Sequence, residues 1–222
     1  MTGILMLGGG VAANAQGVSD DLGSSANTAE LQANMGSMGI DAETQDSLIA
    51  DLEAGKMWDS LSGVEPVSKT SFEEAGFSQE RRVYPDGSIG ISEREIPVQA
   101  GDGVSTRAYG VSGCTAAGVA GETQYRGCLV KEMSGLITAE FEVSYLTGAS
   151  RAYIMSTGDS RVSVYFGNYS NKAVTITQAE ALIGVPASAQ LSFQFQAGAV
   201  NSTGYVYFRV TQAGVASSSS AI

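Results

Sequence analysis

The sequence contains no histidine. That absence removes Ser-His-Asp and Cys-His nucleophile activation, His-ligated zinc and any imidazole proton shuttle. Basic residues are also few, 12 Lys and Arg against 23 Asp and Glu, for a net charge of −11. No basic stripe is available to release counterions from a phosphate backbone or to dock on anionic lipid, so nucleic acid is not an expected partner. No apolar run reaches the roughly 20 residues of a spanning helix, and no transmembrane segment is expected. No D-x-[DN]-x-[DN]-G loop occurs. Asp20-Asp21 and Asp102, expected in loops, are oxygen ligands without that pattern, and neither a metal nor a cofactor is expected. Proline is scarce at 4, tryptophan occurs once and cysteine twice.

What is abundant is glycine, at 28 residues, beside a 43% hydrophobic and 16% charged composition. Many short strands joined by Gly, Ser, Asn and Asp turns fit this balance. The acidity is uneven: residues 16–76 hold 12 acids and 2 bases, while residues 77–222 hold 11 and 10.

Five stretches follow. Residues 1–15 read as the remnant of a signal peptide, with an uncharged apolar run from Ile4 to Ala13 and the small-x-small site Ala13-Asn14-Ala15. No Lys or Arg precedes that run. The expected product is secreted and extracellular. In an oxidising compartment Cys114 and Cys128 are expected to form one disulfide around a Gly-rich loop. Residues 16–39 are polar and weakly patterned; a short helix is expected near Ala29–Met35, and mobility elsewhere. Residues 40–62 are an acidic helical segment. Asp41 is a good N-cap, Glu43 suits the first turn, Leu48, Ile49 and Leu52 form a narrow stripe, and Gly55 suits the C′ position. Met57, Trp58 and Leu61 add a second apolar cluster. This segment is expected to pack on the outside of the β domain.

From about residue 78 the period becomes two, and residues 63–212 are expected to form a mainly β domain, an antiparallel β-sandwich or jelly roll. Ser78–Tyr84 and Ser88–Ile96 flank the turn Pro85-Asp86-Gly87, as an exposed hairpin held by cross-strand ion pairs among its many charges. Later strands centre on Phe141, Val164, Phe193 and Phe208, with turns expected at Thr157–Asp159, Asn168–Asn171 and Gly198–Gly204. Phe141, Phe166, Phe193 and Phe208 are the expected core. Residues 213–222 read as a disordered tail.

The run Gly39-Ile40-Asp41-Ala42-Glu43-Thr44-Gln45 through Met57-Trp58-Asp59-Ser60-Leu61, followed by a two-cysteine β region, resembles small secreted actinobacterial proteins of unknown function. The resemblance implies an exported layout and no particular activity.

Candidate functional residues are then few. Glu140 and Glu142 share the polar face of one strand at about 7 Å, a spacing a carboxylate-dependent, glycosidase-like hydrolase could use; Glu93 and Glu95 repeat it. A solvated strand face is the far commoner reason for such a pair. Tyr205, Tyr207 and Arg209 share a face, and Tyr165 and Tyr169 come from a neighbouring strand. Aromatics with Arg on a sheet can bind a glycan or a protein. Asn168-Tyr169-Ser170 and Asn201-Ser202-Thr203 match the N-glycosylation triplet. The reading is a secreted, non-enzymatic binding module. A hydrolase, and a toxin or bacteriocin that inserts amphipathic strands into membranes, are the alternatives.

Overall fold

The computed structural model describes residues 20–99, 113–149, 151–214 and 216–221. The expected signal segment 1–15 and Asp102 lie outside them. Two β-sheets face each other. The larger has eight strands: β1 (Ser68–Glu74), β2 (Phe77–Val83), β3 (Ile89–Glu95), β4 (Val98–Gln99), β5 (Thr115–Val119), β6 (Glu122–Ser134), β7 (Ile137–Thr147) and β8 (Ala152–Val164). The smaller has four: β9 (Gly167–Gln178), β10 (Ala187–Ala197), β11 (Val200–Val210) and β12 (Ala216–Ala221). The pairing is antiparallel except for the two-residue contact of β4 with β5. The fold is mainly β, as a sandwich.

Period-two patterning explains the layers. Ile137, Ala139, Phe141, Val143 and Tyr145 of β7 are buried while Thr138, Glu140, Glu142 and Ser144 point outward. β10 and β11 meet them with Leu191, Phe193, Phe195, Val206, Phe208 and Val210. Each such side chain contributes roughly 1.5–3 kcal/mol on burial. Phe141, Phe193 and Phe208 lie in this core, and Phe166 packs half-buried at its edge.

β6 is the organising strand. β5 pairs with its first part, β3 with its last part, and β7 runs along its other edge. The register slips between Tyr125 and Cys128, where Gly127 takes a φ of 60°. The Cys114–Cys128 disulfide joins the entry of β5 to β6 at this slip. Glu95, 2% exposed, accepts backbone N–H bonds from Cys114 and Leu129 at 3.3 and 3.1 Å, so a buried carboxylate reinforces the same junction.

Two helices, α1 (Asp20–Ser37) and α2 (Ala42–Glu53), and a 3-10 turn (Asp59–Leu61) sit over one end of the sandwich. Asp41 caps α2 by accepting from the Thr44 N–H at 3.0 Å, and Gly55 follows it at φ 77°. The Trp58 indole is fully buried and donates to the Leu48 carbonyl at 2.8 Å. Asn34 donates to the Ser134 and Gly135 carbonyls of the β6–β7 turn, and the Ala199 N–H of the β10–β11 turn donates to the Leu52 carbonyl. The Asp59 N–H reaches Asp86 Oδ2 in the β2–β3 turn at 2.7 Å. The helices therefore close the hairpin-turn end and share one core with the sheets.

Several expectations are corrected. Much of the segment 16–39 was expected to be mobile, but Asp20–Ser37 is helical and buries Leu31 and Met35 completely. Docking supplies the order that the sequence pattern does not show. The tail 213–222 contains β12, whose serines pair along β11. A backbone ladder needs no apolar side chain, so composition conceals it. Thr157–Asp159 and Asn168–Asn171 run within β8 and β9, and the last turn shrinks to Gly198 and Ala199. The β2–β3 hairpin forms at the expected turn, but it is half-buried rather than exposed. Glu95 is buried, and the ion pairs run to β6, Arg82 with Glu132 and Glu93 with Lys131, rather than across the hairpin.

Candidate functional site

Tyr205, Tyr207 and Arg209 face outward because they alternate with buried Gly204, Val206, Phe208 and Val210. The two rings stack at 5.9 Å with 16° between planes, and the Arg209 guanidinium lies 4.5 Å over the Tyr207 ring. Ser188, Gln190 and Ser192 of β10 stand in register beside Arg209, Tyr207 and Tyr205. A ladder of two rings and a cation, flanked by amides and hydroxyls, thus lies on the outer face of the four-stranded sheet. The helices bond to the β6–β7 and β10–β11 turns. Tyr165 does not join it: its hydroxyl lies 3.4 Å from Thr138 Oγ1 on the other sheet. Tyr169, on β9, is 41% exposed.

Glu140 and Glu142 lie on the outer face of β7, among the strands of a sheet rather than in a cleft. Glu140 pairs with Arg161 at 3.7 Å and stands in register with Lys131. Glu142 lies against the backbone of β8, where a Cβ at Gly158 would come 2.7 Å from its Oε2. Glu93 binds Lys131 at 3.2 Å, and Glu95 belongs to the disulfide junction. The two glycosylation triplets lie within strands β9 and β11 rather than in turns, with both asparagines exposed.

A crevice that the sequence reading missed lies where the 3-10 turn meets β2, β3, β6 and β12. Glu132 is 4% exposed and accepts from Arg82 at 2.9 Å and from the Ser92 hydroxyl at 2.8 Å. Arg82 also bonds Ser92 at 2.6 Å. Burial pushes the Glu132 carboxyl above the ordinary range, while Arg82, Ser92 and Ser220 pull it back. Tyr84, on the crevice wall, is raised by burial as well. One signal was readable. In β6 the inward parity runs Cys128, Val130, Glu132, Ser134, so an acid falls on the core face of an otherwise apolar series.

At the opposite end of the smaller sheet, Leu182, Ile183 and Val185 form an apolar turn at 55, 93 and 47% exposure. The tetrapeptide reads as core by composition. Only the fold shows it on the surface.

No protein-family model and no curated protein matches the chain. Among solved structures, that of a hypothetical protein from Listeria monocytogenes EGD-e is similar at 14% identity and TM-score 0.36, covering 65% of this chain and 93% of that one. No helix among the described residues is long and apolar enough to cross a membrane.

Proposed function

We propose that this chain is an exported, non-catalytic binding module that engages a protein partner through the outer face of its four-stranded sheet. The Tyr205–Tyr207–Arg209 ladder carries the reading. Tyr and Arg are the residue types that dominate protein interface energetics, because they combine large buried area with polar tips and little conformational freedom. The geometry also favours a protein over a sugar. Stacking on a sugar ring needs an open aromatic face, whereas Tyr207 has Tyr205 on one side and Arg209 on the other. What it presents is a ring edge and a hydroxyl. Export is supported by the apolar run ending at Ala13-Asn14-Ala15 and by the Cys114–Cys128 disulfide. The hydrolase reading draws no support from Glu140 and Glu142, which occupy a sheet surface beside Arg161.

The purified mature chain, applied to paired arrays of extracellular proteins and of glycans, tests this. Capture by defined protein features, weakened about 30-fold or more in Tyr207→Ala as expected for an interface anchor, is the predicted result. Capture by glycans alone, or binding that is unchanged in Tyr207→Ala, would overturn it.

A further inference from the structure

Among the described residues, three buried side-chain polar atoms have no hydrogen-bond partner: Ser60 Oγ, Arg82 Nε and Glu132 Oε1. All three side chains line one cavity of about 20 Å³ between the sheets. Stranding each such atom costs on the order of 1–3 kcal/mol, so three at one place point to an occupant. Their chemistry states what that occupant must do. A carboxylate oxygen accepts, a guanidinium N–H donates, and a serine hydroxyl does either. Arg82 and Glu132 are already paired at 2.9 Å, and Glu80 Oε1 stands 3.8 Å from Arg82 Nε, beyond hydrogen-bond reach. Arg82 therefore repels a cation here and Glu132 repels an anion. A neutral group that donates and accepts at once is required, and the volume admits one hydroxyl or one water.

The cavity is the floor of a wider crevice of about 220 Å³, which shares Ser60, Leu61, Arg82 and Ser220 with it. That volume is roughly seven waters, the scale of a single sugar ring. Its walls mix apolar surface from Val64 and Pro66 with the ring of Tyr84 and the charges of Asp59, Glu65 and Lys69. Such walls suit the C–H and O–H surface of a polyol. We propose that this crevice binds a small, neutral, polyhydroxylated ligand, one hydroxyl of which enters the inner cavity, donating to Glu132 Oε1 and accepting from Arg82 Nε. Tyr205, at one end of the tyrosine ladder, also lines the inner cavity. The proposal uses only Ser60, Arg82 and Glu132, so it stands or falls apart from the ladder reading.

Trp58, the sole tryptophan, lies two residues from Ser60 and reports on the crevice by fluorescence, while the Arg82 Nε–H is a buried NMR probe of the cavity itself. The full mature chain should be titrated with glycerol and with the methyl glycosides of glucose, galactose, mannose and N-acetylglucosamine, using acetate and ammonium as charged controls. At least one polyol should shift the Arg82 Nε–H resonance saturably. Ser60→Ala removes an unpartnered hydroxyl and should fold normally, yet weaken that polyol about tenfold through one lost hydrogen bond. Glu132→Gln, which forfeits the charged acceptor, should weaken it similarly. No saturable shift with any polyol, with water exchange to the Arg82 Nε–H persisting, would identify a buried water alone and overturn the proposal. Equal response to acetate or ammonium, or unchanged binding in both variants, would overturn it too.

Discussion

Glu132 and Arg82 show how one buried pair acts on stability at the scale of a residue. Desolvation raises the Glu132 carboxyl more than Arg82 lowers it. The native chain then holds this proton more tightly than the unfolded chain. Stability from Glu132 is full below the ordinary glutamate range and declines as pH rises toward its raised value. Asp41 and Glu122 act in the opposite sense: the Thr44 bonds lower Asp41, the Arg151 bond lowers Glu122, and their contributions fade on acidification. Glu132→Gln is expected to remove the declining limb, read from urea midpoints across a pH series, while lowering stability because the Arg82 guanidinium loses its carboxylate partner. Arg82→Met should cost about 3 kcal/mol at neutral pH, because it strands a buried carboxylate, and should recover as Glu132 protonates. An Arg82→Met variant equally impaired at every pH would contradict this account.

At the scale of an element, close backbone approaches set what each strand tolerates. A Cβ on Gly167 would fall 1.7 Å from the Gln196 carbonyl oxygen, inside the β9–β10 ladder. Gly167→Ala must open that ladder and is expected to destabilise by about 3 kcal/mol in chemical denaturation. Gly118, on β5, has nothing within 4 Å of the same construction. Gly118→Ala should stay within about 0.5 kcal/mol of the parent. Elements were legible in proportion to their side-chain patterning. α2 was readable from Asp41, Leu48, Leu52 and Gly55 because cap, stripe and stop agree locally. The β2–β3 hairpin was readable from Pro85-Asp86-Gly87. α1 was not, since Leu31 and Met35 mean little until the shared core receives them, Met35 beside Gly135 and Trp58. β12 was not, because Ser217–Ser220 advertise no apolar face, while its backbone pairs along β11. Glu132 escaped for a related reason: an acid on the inward parity of β6 acquires meaning only when Arg82 arrives from β2.

Across the whole molecule, helices and sheets share one core, so they should unfold together. Leu52, fully buried, joins the cap to the β10–β11 turn. Leu52→Ala is expected to cost about 3 kcal/mol, and the Trp58 fluorescence of the cap should lose its native signal with the β-sheet circular dichroism in one transition. An earlier fluorescence transition would show the cap to be a separate unit. Reduction of Cys114–Cys128 should lower stability by about 3 kcal/mol, for a separation of 14 residues, while leaving the sheet spectrum in place.

The amino-acid order alone determined the β class, the two-cysteine staple, α2, the aromatic core and the absence of imidazole chemistry. Each is written in local periodicity or in composition, which survive without knowledge of partners. Only the tertiary structure decided that the helices close the turn end, that Tyr165 lies apart from Tyr205 and Tyr207, and that Ser60, Arg82 and Glu132 meet at one cavity. These are juxtapositions of residues distant along the chain. They are set by register, sheet packing and desolvation, and by no short stretch of sequence.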